Sequence, residues 1–307
     1  MGADRTSPGK ECPIIWRGRR AKAFVPSMLD VRSIDLSSVT RSRTAVAAAE
    51  ISSTAASMPS GHVPLARLLL RAEGVASSYL EGVAAPIADI VVAEADGGEL
   101  ATPAALVASN FAAITSAVDS AGDELTTEML CAWQRTVVHG SPLPSRYVGV
   151  IRDEQGWIGG TSPLDAALVT SPPDRLPGLL EDLVGYSNRS DLDPVAQAAI
   201  VHAQFEIIHP FADGNGRVGR ILVVWLLARR LSLVTPPPVS VRFAADRSGY
   251  LASWPDDVPA RTERRMGEVV RRRCHRCGPG PARSDRCRGG TRGAMATTTR
   301  RIAFRGA

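Results

Sequence analysis

Twelve consecutive residues, His209-Pro210-Phe211-Ala212-Asp213-Gly214-Asn215-Gly216-Arg217-Val218-Gly219-Arg220, bring together a base, an acid, a glycine loop and two permanent cations. An imidazole such as that of His209, with an unperturbed pKa of about 6.5, can take a proton near neutral pH. Gly214 and Gly216 flank Asn215 where the sequence turns helical. Main-chain N–H groups can therefore face a ligand with no side chain in the way, and such a helix start favours phosphate oxygens. Asp213 is a hard oxygen ligand, suited to a Mg²⁺ that keeps several waters and bridges phosphates. Arg217 and Arg220 add planar charged donors that can reach outer phosphates. Singly, each feature has an ordinary structural reading: a histidine near a helix end, a Gly-Asn-Gly turn, solvated arginines. Their joint order and spacing points to phosphate chemistry, with Phe211 as a core anchor for the loop.

This loop needs two helices to hold it. Asp193-Pro194 reads as an N-cap followed by proline at the first helical position, opening a helix from Val195 to about Ile208. The segment from Arg217 to Leu231 is apolar around most of its circumference and reads as a central core helix. Further helices are expected over 65–80, with Leu65, Leu68, Leu69, Ala72, Ala76, Tyr79 and Leu80 on one apolar face, and over Pro103 to Val118. Others are expected from Thr127 to Val138, capped by Thr126, and from Pro177 to Ser187. Tyr147 to Ile151 and Gly156 to Gly159 look extended and predict a short hairpin closed by Ser171-Pro172-Pro173. Residues 1–60 lack sustained periodicity and predict a mostly irregular lead-in.

At every fixed position the twelve-residue stretch matches the signature His-x-Phe-x-(Asp/Glu)-Gly-Asn-Gly-Arg-x-x-Arg, and so resembles the Fic (filamentation induced by cAMP) family. The resemblance covers roughly residues 60–252. It implies an all-α fold with a small β-hairpin, the flap, over the active site. It divides the chain into an N-terminal segment (1–60), a helical region with an inhibitory motif (61–100), a catalytic domain (101–253) and a tail (254–307). It further implies a protein adenylyltransferase that moves AMP from ATP to a Ser, Thr or Tyr hydroxyl of a target protein. By that pattern His209 is the base, Asp213 holds Mg²⁺, and Gly214, Asn215 and Gly216 form the anion hole. Arg217 supports the phosphates and Arg220 holds the γ-phosphate. Upstream, Ser77-Ser78-Tyr79-Leu80-Glu81-Gly82 is similar to the family's inhibitory motif. Ser77 and Glu81 are four apart and share a helix face, so Glu81 is expected to pair with Arg220 where a γ-phosphate would lie. His202 is expected to be a core or hydrogen-bonded histidine. The alternatives within the same resemblance are removal of AMP, transfer of another phosphate-containing group, or an inactive truncated remnant.

The net charge of +5 invites a nucleic-acid partner, yet fourteen arginines against three acids over residues 260–307 carry +11, leaving −6 on residues 1–259. Nucleic acid is therefore expected only as a non-specific partner of the tail. That tail is dense in Arg, Gly, Pro and Cys. It reads either as out-of-frame translation of a GC-rich gene or as a zinc site using Cys274, Cys277, Cys287 and His275, with disorder expected in both cases. Five cysteines do not suggest a disulfide framework. The longest apolar run, Ile221 to Ala228, is too short to cross a bilayer and no signal-peptide core is evident. The expected location is cytoplasmic, the expected partners are ATP and an unidentified target protein, the chain itself included, and a homodimer fits the pattern.

Overall fold

The computed structural model describes residues 8–31, 34–59, 61, 63–96 and 102–252. Residues 254–307, and with them the alternatives for the tail, lie outside the described residues. Among the described residues the chain is predominantly helical with two separate two-stranded antiparallel sheets. No helix among the described residues is long and apolar enough to cross a membrane.

Strands β1 (Gly9–Trp16) and β2 (Arg19–Pro26) open the chain and pair from Gly9↔Pro26 to Trp16↔Arg19. The irregular lead-in expected over 1–60 is corrected here. Arg17 and Gly18 both take positive φ, the geometry of a two-residue type I′ turn, whose twist matches that of the flanking strands. Helix α1 (Ser38–Ala56) follows, with Ser37 accepting from the Thr40 N–H. Its buried positions, Thr40, Thr44 and Ala47, are small or polar, so its helical periodicity is nearly flat in hydropathy.

Helices α2 (Val63–Leu80), α3 (Ile87–Ala95), α4 (Pro103–Asp119) and α5 (Thr127–Val137) come next. Thr102 and Thr126 cap α4 and α5 through their side-chain oxygens. The inward face expected for α2 is corrected in part: Leu80 is buried as expected, but Leu65, Leu68 and Tyr79 are exposed, and the helix otherwise buries Ala66, Leu70, Glu73, Ser77 and Ser78. Polar partners turn it. The Asn110 side chain of α4 donates to the Gly74 carbonyl and to Ser78 Oγ, and the Ser240 main-chain N–H and hydroxyl both meet Glu73.

The small hairpin consists of β3 (Trp157–Ile158) and β4 (Leu168–Val169). Its partner strand is therefore 168–169. Residues 147–151, expected to be extended, instead leave a 3₁₀ turn at Ser145–Tyr147 and run irregularly. The N-terminal hairpin lies against this flap: Trp16 meets Trp157 edge to face, with ring centroids 5.3 Å apart, and Ser171 Oγ donates to the Phe24 carbonyl.

Helices α6 (Leu176–Ser187), α7 (Pro194–Ile208), α8 (Asn215–Leu231), α9 (Val239–Ala244) and α10 (Arg247–Ala252) complete the fold. Asp193 caps α7, accepting from the Ala196 N–H at 2.8 Å. The core forms around α8, where Val218, Ile221, Leu222, Val224, Trp225 and Leu226 are all buried, and α4, α5 and α7 pack against it. Cys12 and Cys131 are free thiols.

Candidate active site

Helix α7 ends at His209, which takes the left-handed conformation (φ 51°, ψ 62°) while its N–H still donates to the Phe205 carbonyl at 2.8 Å. A non-glycine residue there costs about 1–2 kcal/mol and persists only where the surroundings over-determine it. Pro210 stops the helix. Phe211, 1% exposed, packs on Phe205 with ring centroids 6.3 Å apart and anchors the loop. Gly214, at φ +84°, then turns the chain into α8. The Asn215 side chain clasps Phe211 in both directions: Oδ1 accepts from its N–H at 2.9 Å and Nδ2 donates to its carbonyl at 2.8 Å. What Asn215 leaves for an anion is its main-chain N–H at the start of α8.

The other motif residues converge on that start. Asp213 is partly exposed; one oxygen accepts from the Gly214 N–H at 2.7 Å and the other lies 3.8 Å from Arg217. Arg217 is buried and donates to the Val137 carbonyl at the end of α5, a favourable place for a cation. Arg220, also buried, donates to Ser77 Oγ and the Ser77 carbonyl at 2.9 Å each, to Glu81 Oε1 at 2.7 Å and to the Tyr250 hydroxyl at 3.4 Å. Glu81 follows the end of α2, and its carboxylate lies so close against Gly216 that a Cβ there would have to displace it. Burial works to raise the Glu81 carboxyl, but the Arg220 guanidinium outweighs it, with Arg217 and His209 adding, and leaves it below its ordinary pKa. A carboxylate thus occupies the anion-favouring start of α8.

Burial, with help from the Arg152 charge, pushes His209 down to about 4, so the imidazole is neutral at neutral pH. Its Nδ1 lies 3.3 Å from the Glu206 carbonyl, which can only accept, while the buried Nε2 has no hydrogen-bond partner among the described residues. Nε2 is therefore the free lone pair. His202 is buried, with Nε2 3.3 Å from the Tyr250 hydroxyl. Four further residues shape the site without having been singled out from the sequence. Gln134 donates to the Asp213 carbonyl, Tyr250 braces Arg220, Glu206 lies beneath His209, and Arg152 donates to the His209 carbonyl. No motif marks them, since most of their partners are main-chain atoms from distant segments.

Four buried groups set a pH dependence. Burial raises Glu206 to about 8 and Glu73 to about 7 from ordinary values of 4.5, so the folded chain holds protons there that the unfolded chain releases. That stabilisation is lost as pH rises to 8. His202 and His209, lowered to about 3 and 4 from 6.5, oppose it: the unfolded chain binds their protons below 6.5, which destabilises the fold as pH falls. Above 6.5 only the carboxyls act. Calorimetry should show Tm falling between pH 6.5 and 8, and a shallower fall in Glu206→Gln; an unchanged slope in that variant would contradict the assignment.

Helices enclosing a left-handed histidine turn, a glycine-opened helix start and a small hairpin beside them define the class of site. Residues 124–227, about a third of the chain, match the Fic/DOC family. Over 53 residues it is 49% identical to a probable protein adenylyltransferase of Aquifex aeolicus (strain VF5), covering 17% of each chain. Over 141 residues it is 29% identical to the protein adenylyltransferase fic-1 of Caenorhabditis elegans, covering 45% of this chain and 26% of that one. The chain thus spans about 17% and 26% of the length of these curated relatives. A Fic family protein from Desulfovibrio desulfuricans G20 shares the fold with a TM-score of 0.59 at 23% identity, covering 79% of this chain and 75% of that one. A Fic domain containing signaling protein from Bacteroides thetaiotaomicron VPI-5482 does so at 0.57 and 16% identity, covering 74% and 93%.

Proposed function

We propose that the protein is an adenylyltransferase that moves AMP from ATP to a hydroxyl side chain of a target protein, the chain itself included, and that Glu81 restrains it. The observation that carries this reading is the Glu81 carboxylate seated against Gly216 and paired with Arg220, where an anion at the start of α8 would otherwise sit. In the reaction the target hydroxyl gives its proton to His209 Nε2 as its oxygen bonds to the α-phosphorus. The bond from that phosphorus to the bridging oxygen breaks, and pyrophosphate leaves with the bonding pair. Main-chain N–H groups of Asn215 and Gly216, joined by that of Gly214 once its bond to Asp213 opens, stabilise the charge on the phosphate oxygens, Arg217 supports the phosphates, and Arg220 holds the γ-phosphate once Glu81 has moved.

Asp213 fits a Mg²⁺ ion: it offers one partly exposed carboxylate just ahead of the helix start. No group of three His, Cys, Asp or Glu that could hold a metal occurs among the described residues, so phosphate oxygens and water would complete the shell. When bound, the ion would neutralise phosphate charge.

The test is incubation of the wild type, Glu81→Gly and His209→Ala with Mg²⁺ and ATP labelled at the α or the γ position. Label from the α position should enter protein, more in Glu81→Gly and none in His209→Ala. Transfer of γ label would sink the adenylyl reading, and loss of AMP from a pre-modified target would favour the reverse reaction. No label in any variant would favour an inactive remnant.

A further inference from the structure

Arg152 is 2% exposed, and among the described residues its guanidinium hydrogen-bonds to carbonyl oxygens and one hydroxyl, with no carboxylate among these partners. A buried cation is costly unless it is fully hydrogen-bonded. Here the bonds fall into two sets. On one side Nε donates to the His209 carbonyl at 2.7 Å, Nη2 to the Ile208 carbonyl at 3.3 Å, and the main-chain N–H to the Pro210 carbonyl at 2.9 Å. Three consecutive carbonyls of the left-handed turn thus point at one residue. On the other side Nη1 donates to the Glu154 carbonyl at 2.7 Å, and Nη2 to Thr170 Oγ1 at 3.0 Å and to the Ser171 carbonyl at 2.6 Å. Those three residues belong to the entering and returning legs of the flap. Gly156 completes the arrangement, since a Cβ there would press on both Thr170 Oγ1 and Arg152 Nε.

We propose that Arg152 is a positioning residue that couples the flap to His209, so that displacing the flap displaces the imidazole. The importance of this coupling for turnover rests on the adenylyl-transfer reading; the coupling itself does not. A flap engaged by a target segment would lock the turn that aims Nε2, and a loose flap would release it. The other titratable groups facing the imidazole are Glu206, whose carboxyl is 3.9 Å from Nδ1, and Glu81 across the site; neither is substituted in the variants below.

Histidine-labelled protein without nucleotide, followed by NMR titration, tests this, with His209→Asn assigning the resonance and His202 as internal control. Hydrogen exchange over residues 157–169 reports on the flap. Arg152→Gln should raise the His209 titration midpoint by about one pH unit or more and speed flap exchange about tenfold. Arg152→Lys, which keeps the charge without the fork, should restore the midpoint but leave the flap fast and the His209 resonance displaced. Thr170→Val removes only a flap-side bond, and should move the His209 resonance while leaving that of His202 in place. An unshifted His209 in Arg152→Gln would overturn the proposal. So would faster flap exchange in Thr170→Val with His209 unmoved, a result that decides the matter even if Arg152→Gln fails to fold. None of these readouts needs turnover, so a failure of adenylylation and a failure of the coupling are told apart.

Discussion

Replacing Glu81 with glycine should tighten Mg²⁺–ATP binding about tenfold or more by titration calorimetry, a change of about 1.4 kcal/mol, while lowering the stability of the nucleotide-free protein. Both effects have one cause. The Arg220 side chain is 2% exposed and would keep only Ser77 and Tyr250 as partners. Breaking a fully buried pair costs about 3–5 kcal/mol, but the Glu81 side chain is 36% exposed at the mouth of the site, so solvent screening reduces the expected cost to about 1–2 kcal/mol. Glycine at 81 costs little helix, because α2 ends at Leu80. A carboxylate just past that helix end also opposes the α2 dipole, so Arg220 and the start of α8 must hold it there. ATP at a hundredfold its Kd would return about 2.7 kcal/mol. Wild type, binding tenfold more weakly, gains about 1.4 kcal/mol at the same ATP concentration, so the variant should be less stable than wild type without nucleotide and ATP should narrow the gap by about 1.3 kcal/mol. Equal Tm values in the absence of ATP, together with unchanged ATP affinity, would show that Glu81 neither braces Arg220 nor occupies the nucleotide's place.

Phe211→Ala should be the most destabilising change in the motif. The ring is 1% exposed and packs on Phe205, so removing it costs about 3–5 kcal/mol through lost burial and the cavity left behind. At about 2–4 °C per kcal/mol for a domain of this size, Tm should fall by about 10 °C. The damage should reach the site, because the Asn215 side chain is bonded to the Phe211 main chain on both sides. Phe211→Leu should recover most of the stability, and a Tm within about 2 °C of wild type in Phe211→Ala would refute the anchoring role.

Helix boundaries set by local chemistry were legible from sequence. Thr126 and Asp193 do cap α5 and α7, because a capping side chain meets an N–H only three residues away. The pairing of Glu81 with Arg220 was legible only through the resemblance, since spacing alone cannot bring residue 81 to residue 220, and the bonds from Arg220 to Ser77 were not foreseen. The face of α2 was misread for a physical reason: an apolar stripe predicts burial only when the neighbouring elements are apolar, and here Asn110, Arg220 and Ser240 draw in the polar side. The first hairpin escaped notice because Arg17-Gly18 is a weak turn signal. Arg152 could not have been found, since carbonyl partners leave no trace in side-chain sequence.

The contact between Trp16 and Trp157 has a consequence for synthesis. An isolated two-stranded hairpin is marginal in water. The N-terminal strands therefore emerge long before the segment that steadies them: roughly 140 residues at about 5–20 per second, or about 7 to 28 seconds of translation. During that interval exposed Ile15 is flanked on the ribosome by Arg17, Arg19 and Arg20, and such charges beside an open strand edge discourage pairing with other chains. The arginines that look idle in the finished fold act as guards on a strand that must wait for its partner.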